Sequence, residues 1–274
     1  MEQKENNELG INVYAALVVP IAACALAWAA YGFSFASITL GMASISLLTI
    51  LFGSSLRIQL PGTNAHLTAS DAMVFFVMLT FGGELAVIVG ASEAAFSSLM
   101  IRRKGVKMRL QTIVINTAIS AISVFSSALA VKALFGRPES ALDSATISQL
   151  ALTMIVMGMA QFVANSILVS ANISIRNSQT IWKVWNEYCF GAMLIYLCGA
   201  LLGGLLTKAL NQVDLVLFAS VAVLFVVVYF TYFRYANAVR SSSAKAEKAE
   251  RDRAEQAELH ITELEHYIQQ LEVS

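Results

Sequence analysis

Residues 11–54 contain no charged side chain. A helix that crosses the hydrocarbon core of a bilayer needs about 20 consecutive apolar residues, so this run is long enough for two spans. Over the whole chain, 57% of the residues are hydrophobic and 13% are charged, whereas soluble domains carry about 25% charged residues. The sequence therefore predicts an all-α, polytopic transmembrane helix bundle, with the lipid bilayer as a partner.

Further apolar stretches predict the remaining spans. A short run at 68–81 ends at Gly82-Gly83 and is short for a simple span. Longer runs follow at 83–101, 110–135, 147–173, 187–206 and 213–233. The bundle is expected to have seven spans if residues 68–81 form a re-entrant half-helix, and eight if they cross the membrane.

The densest basic cluster of the chain indicates the orientation. It comprises Arg102, Arg103, Lys104, Lys107 and Arg109. Loops rich in Lys and Arg stay in the cytoplasm, and counting forward from this loop places the C-terminus in the cytoplasm. Counting backward places the N-terminus inside for eight spans and outside for seven. The acidic N-terminus does not decide between them, because Asp and Glu contribute little to orientation.

The composition changes abruptly after the last predicted span. We therefore expect an N-terminal tail at 1–10, a transmembrane bundle at 11–234 and a cytoplasmic helix at 235–274. Apolar residues spaced by three and four form a seam in this helix: Ala254, Ala257, Ile261, Leu264, Ile268 and Leu271. Ile and Leu at alternating seam positions favour a parallel coiled coil and thus a homodimer; a single solvated helix is the alternative. The seam runs to Ser274 without a stop signal, which is typical of a connector to a further domain or partner.

Catalytic and cofactor-binding patterns are absent from the sequence. It contains no phosphate-binding Gly loop, no zinc-protease motif and no nucleophile elbow. The three cysteines and three histidines are not spaced as metal ligands, and the net charge of zero indicates no nucleic-acid partner. We expect no catalytic residue, no metal and no cofactor.

Polar residues in and beside the apolar runs are the candidate functional residues, because such groups are costly in hydrocarbon. The candidates for a site that binds an unknown small ligand are Arg57, Gln59, Asn64, His66, Asp71, Glu93, Gln161 and Asn165. Gln161 and Asn165 are four residues apart and share one helix face. Structural roles are the alternative: Asp71 also fits a helix cap that begins at Thr68. Amides within spans, including Asn116, also join helices by hydrogen bonds.

Residues 56–71, which we call the polar stretch, lie between two apolar runs, and their first part is predicted to be extended. Residues 57–60 alternate polar and apolar side chains, and Pro61 pushes Leu60 out of helical geometry. We expect a turn at Pro61-Gly62 and a new short helix that starts between Thr68 and Asp71.

The region from LRIQLPGTNAHLTASD to the end of the 83–101 span resembles the N-terminal sensory module of bacterial cyclic-di-GMP signalling proteins. The resemblance is carried by Pro61-Gly62, Ser70-Asp71, Phe81-Gly82, Glu84 and Glu93, and the tail AELHITELEHYIQQLEVS is similar to the family's connector. In that family the module precedes a GGDEF diguanylate cyclase, an EAL phosphodiesterase or an HD-GYP phosphohydrolase. The resemblance implies a non-enzymatic sensor and anchor in the bacterial inner (cytoplasmic) membrane, which relays a signal through its coiled coil. The catalytic residues of those domains are absent, so any such activity would lie in a missing C-terminal domain.

Two other functions remain open. The Pro-Gly, Ser-x-Asp and Phe-Gly pattern also resembles the membrane substrate-binding components of vitamin transporters, and the interrupted segment 68–83 suits a small-molecule transporter. A transporter has no evident need of a cytoplasmic coiled coil, however. In a third interpretation, the chain is a scaffold that only dimerises a partner, and its buried polar residues only stabilise the bundle.

Overall fold

The computed structural model describes residues 2–34, 36, 38–53, 57–59, 66–103, 105, 108–136, 147–189 and 192–212. Over these ranges the chain is helical apart from turns and one short β-hairpin. Four helices are long and apolar enough to cross a membrane: Asn7–Gly32, Gly83–Arg103, Leu110–Phe135 and Ser148–Asn177. The prediction of a helical membrane protein is confirmed at this level. The predicted span at 213–233 and the predicted coiled-coil seam, Ala254, Ala257, Ile261, Leu264, Ile268 and Leu271, lie outside the described residues.

Eight α-helices and two strands follow one another in the described part of the chain. They are α1 (Glu2–Gly32), α2 (Leu40–Phe52), β1 (Arg57–Gln59), β2 (His66–Thr68), α3 (Ala69–Phe81), α4 (Gly83–Arg103), α5 (Leu110–Phe135), α6 (Ile147–Asn177), α7 (Ile181–Val184) and α8 (Ala192–Gln212). Helix α7 continues into a π-helix at Trp185–Cys189. The bounds of α5 are those that the apolar run predicts, and α1 begins well before the charge-free run.

Side-chain contacts distinguish the two ends of the bundle. At the end that we call the basic end, a guanidinium nitrogen of Arg109, just before α5, lies 2.9 Å from a carboxylate oxygen of Glu8 in α1. At the opposite end, the Lys132 ammonium of α5 lies 3.8 Å from a carboxylate oxygen of Glu84 in α4 and 5.2 Å from the ring centroid of Trp28 in α1. The start of α1 therefore shares the basic end with the end of α4 and the start of α5.

Helices α2 and α3 are half-length elements. Each has 13 residues, which corresponds to about 20 Å at 1.5 Å per residue, short of the roughly 30 Å of a hydrocarbon core. The Thr39 hydroxyl caps the start of α2 by accepting a hydrogen bond from the Met42 amide. The far end of α2 meets the start of α3, since a Cβ on Gly53 would lie 2.7 Å from that of Ser70. The second of the two spans that residues 11–54 predict is thus a 13-residue helix in the structure, shorter than a full span.

The polar stretch forms an antiparallel hairpin that joins α2 to α3. Its register pairs Arg57 with Thr68 and Gln59 with His66. The predicted extended backbone is confirmed, and α3 starts at Ala69, within the predicted interval. The predicted turn at Pro61-Gly62 lies outside the described residues.

Helix α8 packs closely along α3 in the same direction. A Cβ on Gly199 would lie 3.5 Å from the Ala72 amide nitrogen, and a Cβ on Gly203 would lie 2.9 Å from the Ala72 carbonyl oxygen. Further along, the hydroxyls of Thr80 and Thr207 are 3.4 Å apart. Small residues thus bring two backbones together, as they do between helices in lipid, and the contact fixes α8 beside the start of α3.

Candidate functional site

A polar cavity of about 300 Å³ lies inside the bundle, between α3, α4, α5, α6 and α8. Its wall contains two carboxylates, three amides, five serines and one tyrosine, together with four aliphatic side chains. Polar side chains are costly in hydrocarbon and usually face a bundle interior. The concentration of eleven of them around one space makes this cavity the candidate site.

The two carboxylates reach the cavity from different backbone settings. Asp71 lies in the first turn of α3, where the helix dipole and free N–H groups favour a negative charge. Glu93 is the middle residue of the 21-residue helix α4. Because α4 is as long as a membrane is thick, Glu93 lies near mid-depth. Ile101, two residues before the end of α4, also lines the cavity, which therefore extends from mid-depth towards the basic end.

Helical spacing aligns the other polar residues on the cavity side of their helices. Asn116 and Ser120 are four residues apart on α5, and Gln161 and Asn165 are four residues apart on α6. Residues with this spacing lie on one face, so the predicted shared face of Gln161 and Asn165 is observed and lines the cavity. Tyr196 contributes the polar wall from α8.

Hydrogen bonds join these walls across helices. The Gln161 Nε2 group donates to Asp71 Oδ1 at 3.4 Å, and the Asn116 Nδ2 group donates to Ser98 Oγ at 3.3 Å. The Tyr196 side chain interacts with that of Asn165. The amides therefore link helices, as the structural alternative expects, while they also line the cavity.

The Oε1 atom of Gln161 accepts no hydrogen bond in these contacts. Its side chain is only 4% exposed, and its Oε1 atom has no hydrogen-bond partner within the described part of the chain. The Nε2 group faces the Asp71 carboxylate, so the amide orientation leaves the acceptor oxygen without a donor. A buried acceptor in this state is destabilising unless something donates to it.

The structure brings together four of the eight predicted ligand-site residues. Asp71, Glu93, Gln161 and Asn165 all line the cavity. The backbones of Arg57, Gln59 and His66 lie on the hairpin strands, and β2 ends two residues before the cavity wall begins at Ser70. Asn64 lies outside the described residues. A ligand role for all eight remains a prediction.

Sequence reasoning missed Tyr196 and the serines. Tyr196 lies in an apolar run where an aromatic residue is typical of packing, and serines are common between membrane helices. The spacing of Ser97 four residues after Glu93, and of Ser123 three residues after Ser120, is the signal that could have found them.

An aromatic chain leads from the cavity wall to the surface. The ring centroids of Tyr196 and Phe162 are 6.2 Å apart, those of Phe162 and Trp185 are 6.3 Å apart, and Trp185 stacks on Trp182 at 5.3 Å. The Trp185 indole N–H also donates to Ser166 Oγ at 3.1 Å. Trp182 is 70% exposed, so the chain connects the cavity with the segment between α6 and α8.

Glu84 and Lys132 take no part in the cavity. Their pairing at the opposite end fits the structural role that the helix dipole predicts for a carboxylate at the start of α4. Among the described residues, no group of three or more His, Cys, Asp or Glu side chains is placed to hold a metal ion.

Comparisons of the chain with protein-family models, curated proteins and solved structures return no match. The cavity, the contact between α3 and α8 and the aromatic chain are therefore the features that bear on function.

Proposed function

We propose that the chain is a sensory and anchoring module of the bacterial inner membrane. It dimerises through its C-terminal helix and relays a signal from the bundle to a cytoplasmic output domain of the cyclic-di-GMP type. The observation that carries the proposal is the convergence of Asp71, Glu93, Gln161 and Asn165 on one cavity. Polar groups that served only to join helices could be spread over many contacts, whereas a shared cavity gives a ligand access to all of them.

The proposed membrane topology has both termini in the cytoplasm. The ion pair between Glu8 and Arg109 supports it, because the start of α1 then lies beside the basic loop that the positive-inside rule assigns to the cytoplasm. Helices α2 and α3 would enter from the outside and return as a re-entrant pair. This topology combines the two sequence alternatives: residues 68–81 are re-entrant, yet the N-terminus is inside, because α2 is also a half-helix.

Helix α8 is the proposed relay between cavity and tail. Its residues Gly199 and Gly203 contact α3 at Ala72, next to Asp71, and Tyr196 forms part of the cavity wall. A ligand that changes the α3–α8 contact would displace α8, and the chain continues from α8 into the last predicted span and the tail. Such a relay requires an element with two arrangements that both the site and the output bias, and the coiled coil is the candidate.

Cross-linking in the tail tests the proposal without knowledge of the ligand. Single cysteines are placed along the predicted seam in a background where Cys24, Cys189 and Cys198 are replaced by Ala, and disulfide yields are measured in membranes. A change at the cavity, Glu93→Gln, is expected to alter the pattern of yields. The matched control Glu84→Gln removes a carboxylate of the same helix outside the cavity and should leave the pattern unchanged. Identical patterns in all three proteins would contradict the relay.

A transporter is the second candidate, and the re-entrant pair favours it, because transporters build substrate sites from interrupted helices near the bilayer midplane. The two functions differ in one measurement. A transporter without residues 241–274 would still accumulate a labelled cavity ligand inside proteoliposomes, whereas a sensor would bind the ligand without accumulating it.

A further inference from the structure

We infer that the cavity binds a small organic cation of the primary-ammonium class, whose N–H groups donate to Asp71, Glu93 and the Oε1 atom of Gln161. This inference rests on the proposed function, because it names the ligand class of the same cavity.

The charge of the cavity wall supports a cation. Among the described residues that line it, two are carboxylates and none is Lys, Arg or His. In a low-dielectric interior, a carboxylate needs hydrogen bonds and a positive charge nearby, or it takes up a proton. The dipole at the start of α3 favours the charge of Asp71. Glu93, at the middle of α4, is far from the dipole of either helix end. Both carboxylates line the cavity and would attract a cation in it.

The hydrogen-bond acceptors of the cavity wall favour a ligand that donates hydrogen bonds. Ionised carboxylates are acceptors only. The Oε1 atom of Gln161 is a further acceptor, it belongs to a side chain that is 4% exposed, and the described residues offer it no donor. A primary ammonium group brings three N–H donors together with its charge. An anion would add acceptors to a wall in which the Oε1 atom of Gln161 already lacks a donor among the described residues.

The size of the cavity favours an organic cation over a bare ion. Its volume of about 300 Å³ is at the lower end of the range for small-molecule sites, about 300–1,000 Å³. At about 30 Å³ per water molecule, a bare ion would leave most of this space to water. Ile119, Val169 and the Tyr196 ring also line the cavity, and they offer apolar and aromatic contacts to the carbon part of an ammonium ligand.

Binding of two primary-ammonium probes, with guanidinium as a different organic cation for comparison, to the purified full chain in lipid nanodiscs tests the inference. Methylammonium, ethanolammonium and guanidinium chloride are titrated, with ethylene glycol as the neutral control, glycolate as the anionic control and sodium chloride as the inorganic control. The readouts are the fluorescence of Trp182 and Trp185, which the aromatic chain connects to the cavity, and the melting temperature, which rises with occupancy. At least one of the two ammonium probes should bind saturably, and the neutral, anionic and sodium controls should not.

Variants assign the binding to the cavity. Glu93→Gln and Asp71→Asn should each weaken binding about tenfold or more, which corresponds to about 1.4 kcal/mol, while Glu84→Gln should stay within about twofold of wild type. Gln161→Leu removes the unmet acceptor without changing the charge, and it should weaken binding of an ammonium probe even if a carboxylate variant does not fold.

The inference would be overturned by no saturable binding of either ammonium probe, or by equal binding of the neutral, anionic or sodium controls. Unchanged binding in both Glu93→Gln and Gln161→Leu would do the same. Failure of the proposed function would look different. If ammonium ions bind in the cavity but Glu93→Gln leaves the tail cross-linking pattern unchanged, the proposed sensory function is contradicted and the proposed cation site is supported. If Glu93→Gln changes the cross-linking pattern but no ammonium ion binds, the proposed sensory function is supported and the proposed ligand class is contradicted.

Discussion

Gly203 is the position where a single added methyl group should separate the two helices that form the proposed relay. A Cβ there would lie 2.9 Å from the Ala72 carbonyl oxygen, the Phe75 Cβ and the Phe76 amide nitrogen. Comfortable contacts between such atoms are about 3.5–4.0 Å, so α8 must move away from α3 by roughly 0.5–1 Å. Overpacking of this kind costs about 1–3 kcal/mol. Two of the three atoms belong to the α3 backbone, so a change of side-chain rotamer cannot relieve the clash.

We therefore expect Gly203→Ala to lower the free energy of unfolding by up to about 2 kcal/mol, because the helix propensity of Ala offsets about 1 kcal/mol of the overpacking cost. The measurement is thermal melting of the purified protein in detergent. A loss of 1 kcal/mol lowers the melting temperature by about 2–4 °C in a chain of this size range. The matched control is Gly41→Ala, because a Cβ on Gly41 would meet only the Thr39 hydroxyl, at 3.9 Å. If Gly203→Ala melts at or above the temperature of Gly41→Ala, the close α3–α8 contact is refuted.

Three further predictions follow from other contacts. Ser127→Ala removes a buried hydroxyl that donates to the Met157 carbonyl across two helices at 2.9 Å, and it should destabilise the protein by about 0.6 kcal/mol; Ser126→Ala, whose hydroxyl bonds only within its own helix, should change the unfolding free energy less. Glu84→Gln should cost under about 1 kcal/mol in a denaturation series, because its partner is 3.8 Å away and half exposed. A cysteine at position 8 should react with an impermeant maleimide only in inside-out vesicles, and labelling from the outside would contradict the proposed topology.

The sequence predicts well those elements whose signals are local. The apolar run at 110–135 is bounded by polar residues, so α5 matches it. Gly82 has a positive φ of 98°, which suits glycine, and the Gly82-Gly83 pair accordingly separates α3 from α4. Asp71 and Glu93 could be selected as candidates because ionisable groups are rare within membrane helices.

Other features depend on tertiary contacts that no local pattern contains. The charge-free run at 11–54 does not predict that its second helix is only 13 residues long, because residues 33–39, which separate the two helices, carry no charged side chain. The position of the start of α1 beside the start of α5 is shown by the pair between Glu8 and Arg109, which are far apart in the chain. Tyr196 lines the cavity because α8 packs closely on α3. The sequence alone shows only an aromatic residue in an apolar span.

We propose that a change in the cavity, such as the loss of the Glu93 charge, alters the arrangement of the C-terminal helix. The most direct measurement of this effect is the distance between spin labels at position 264 of the two copies of a dimer, by pulsed electron paramagnetic resonance in nanodiscs. We expect a short distance that shifts in Glu93→Gln and stays unchanged in Glu84→Gln. A distribution that is the same in all three proteins, or the absence of any distance between two copies, would contradict the proposal.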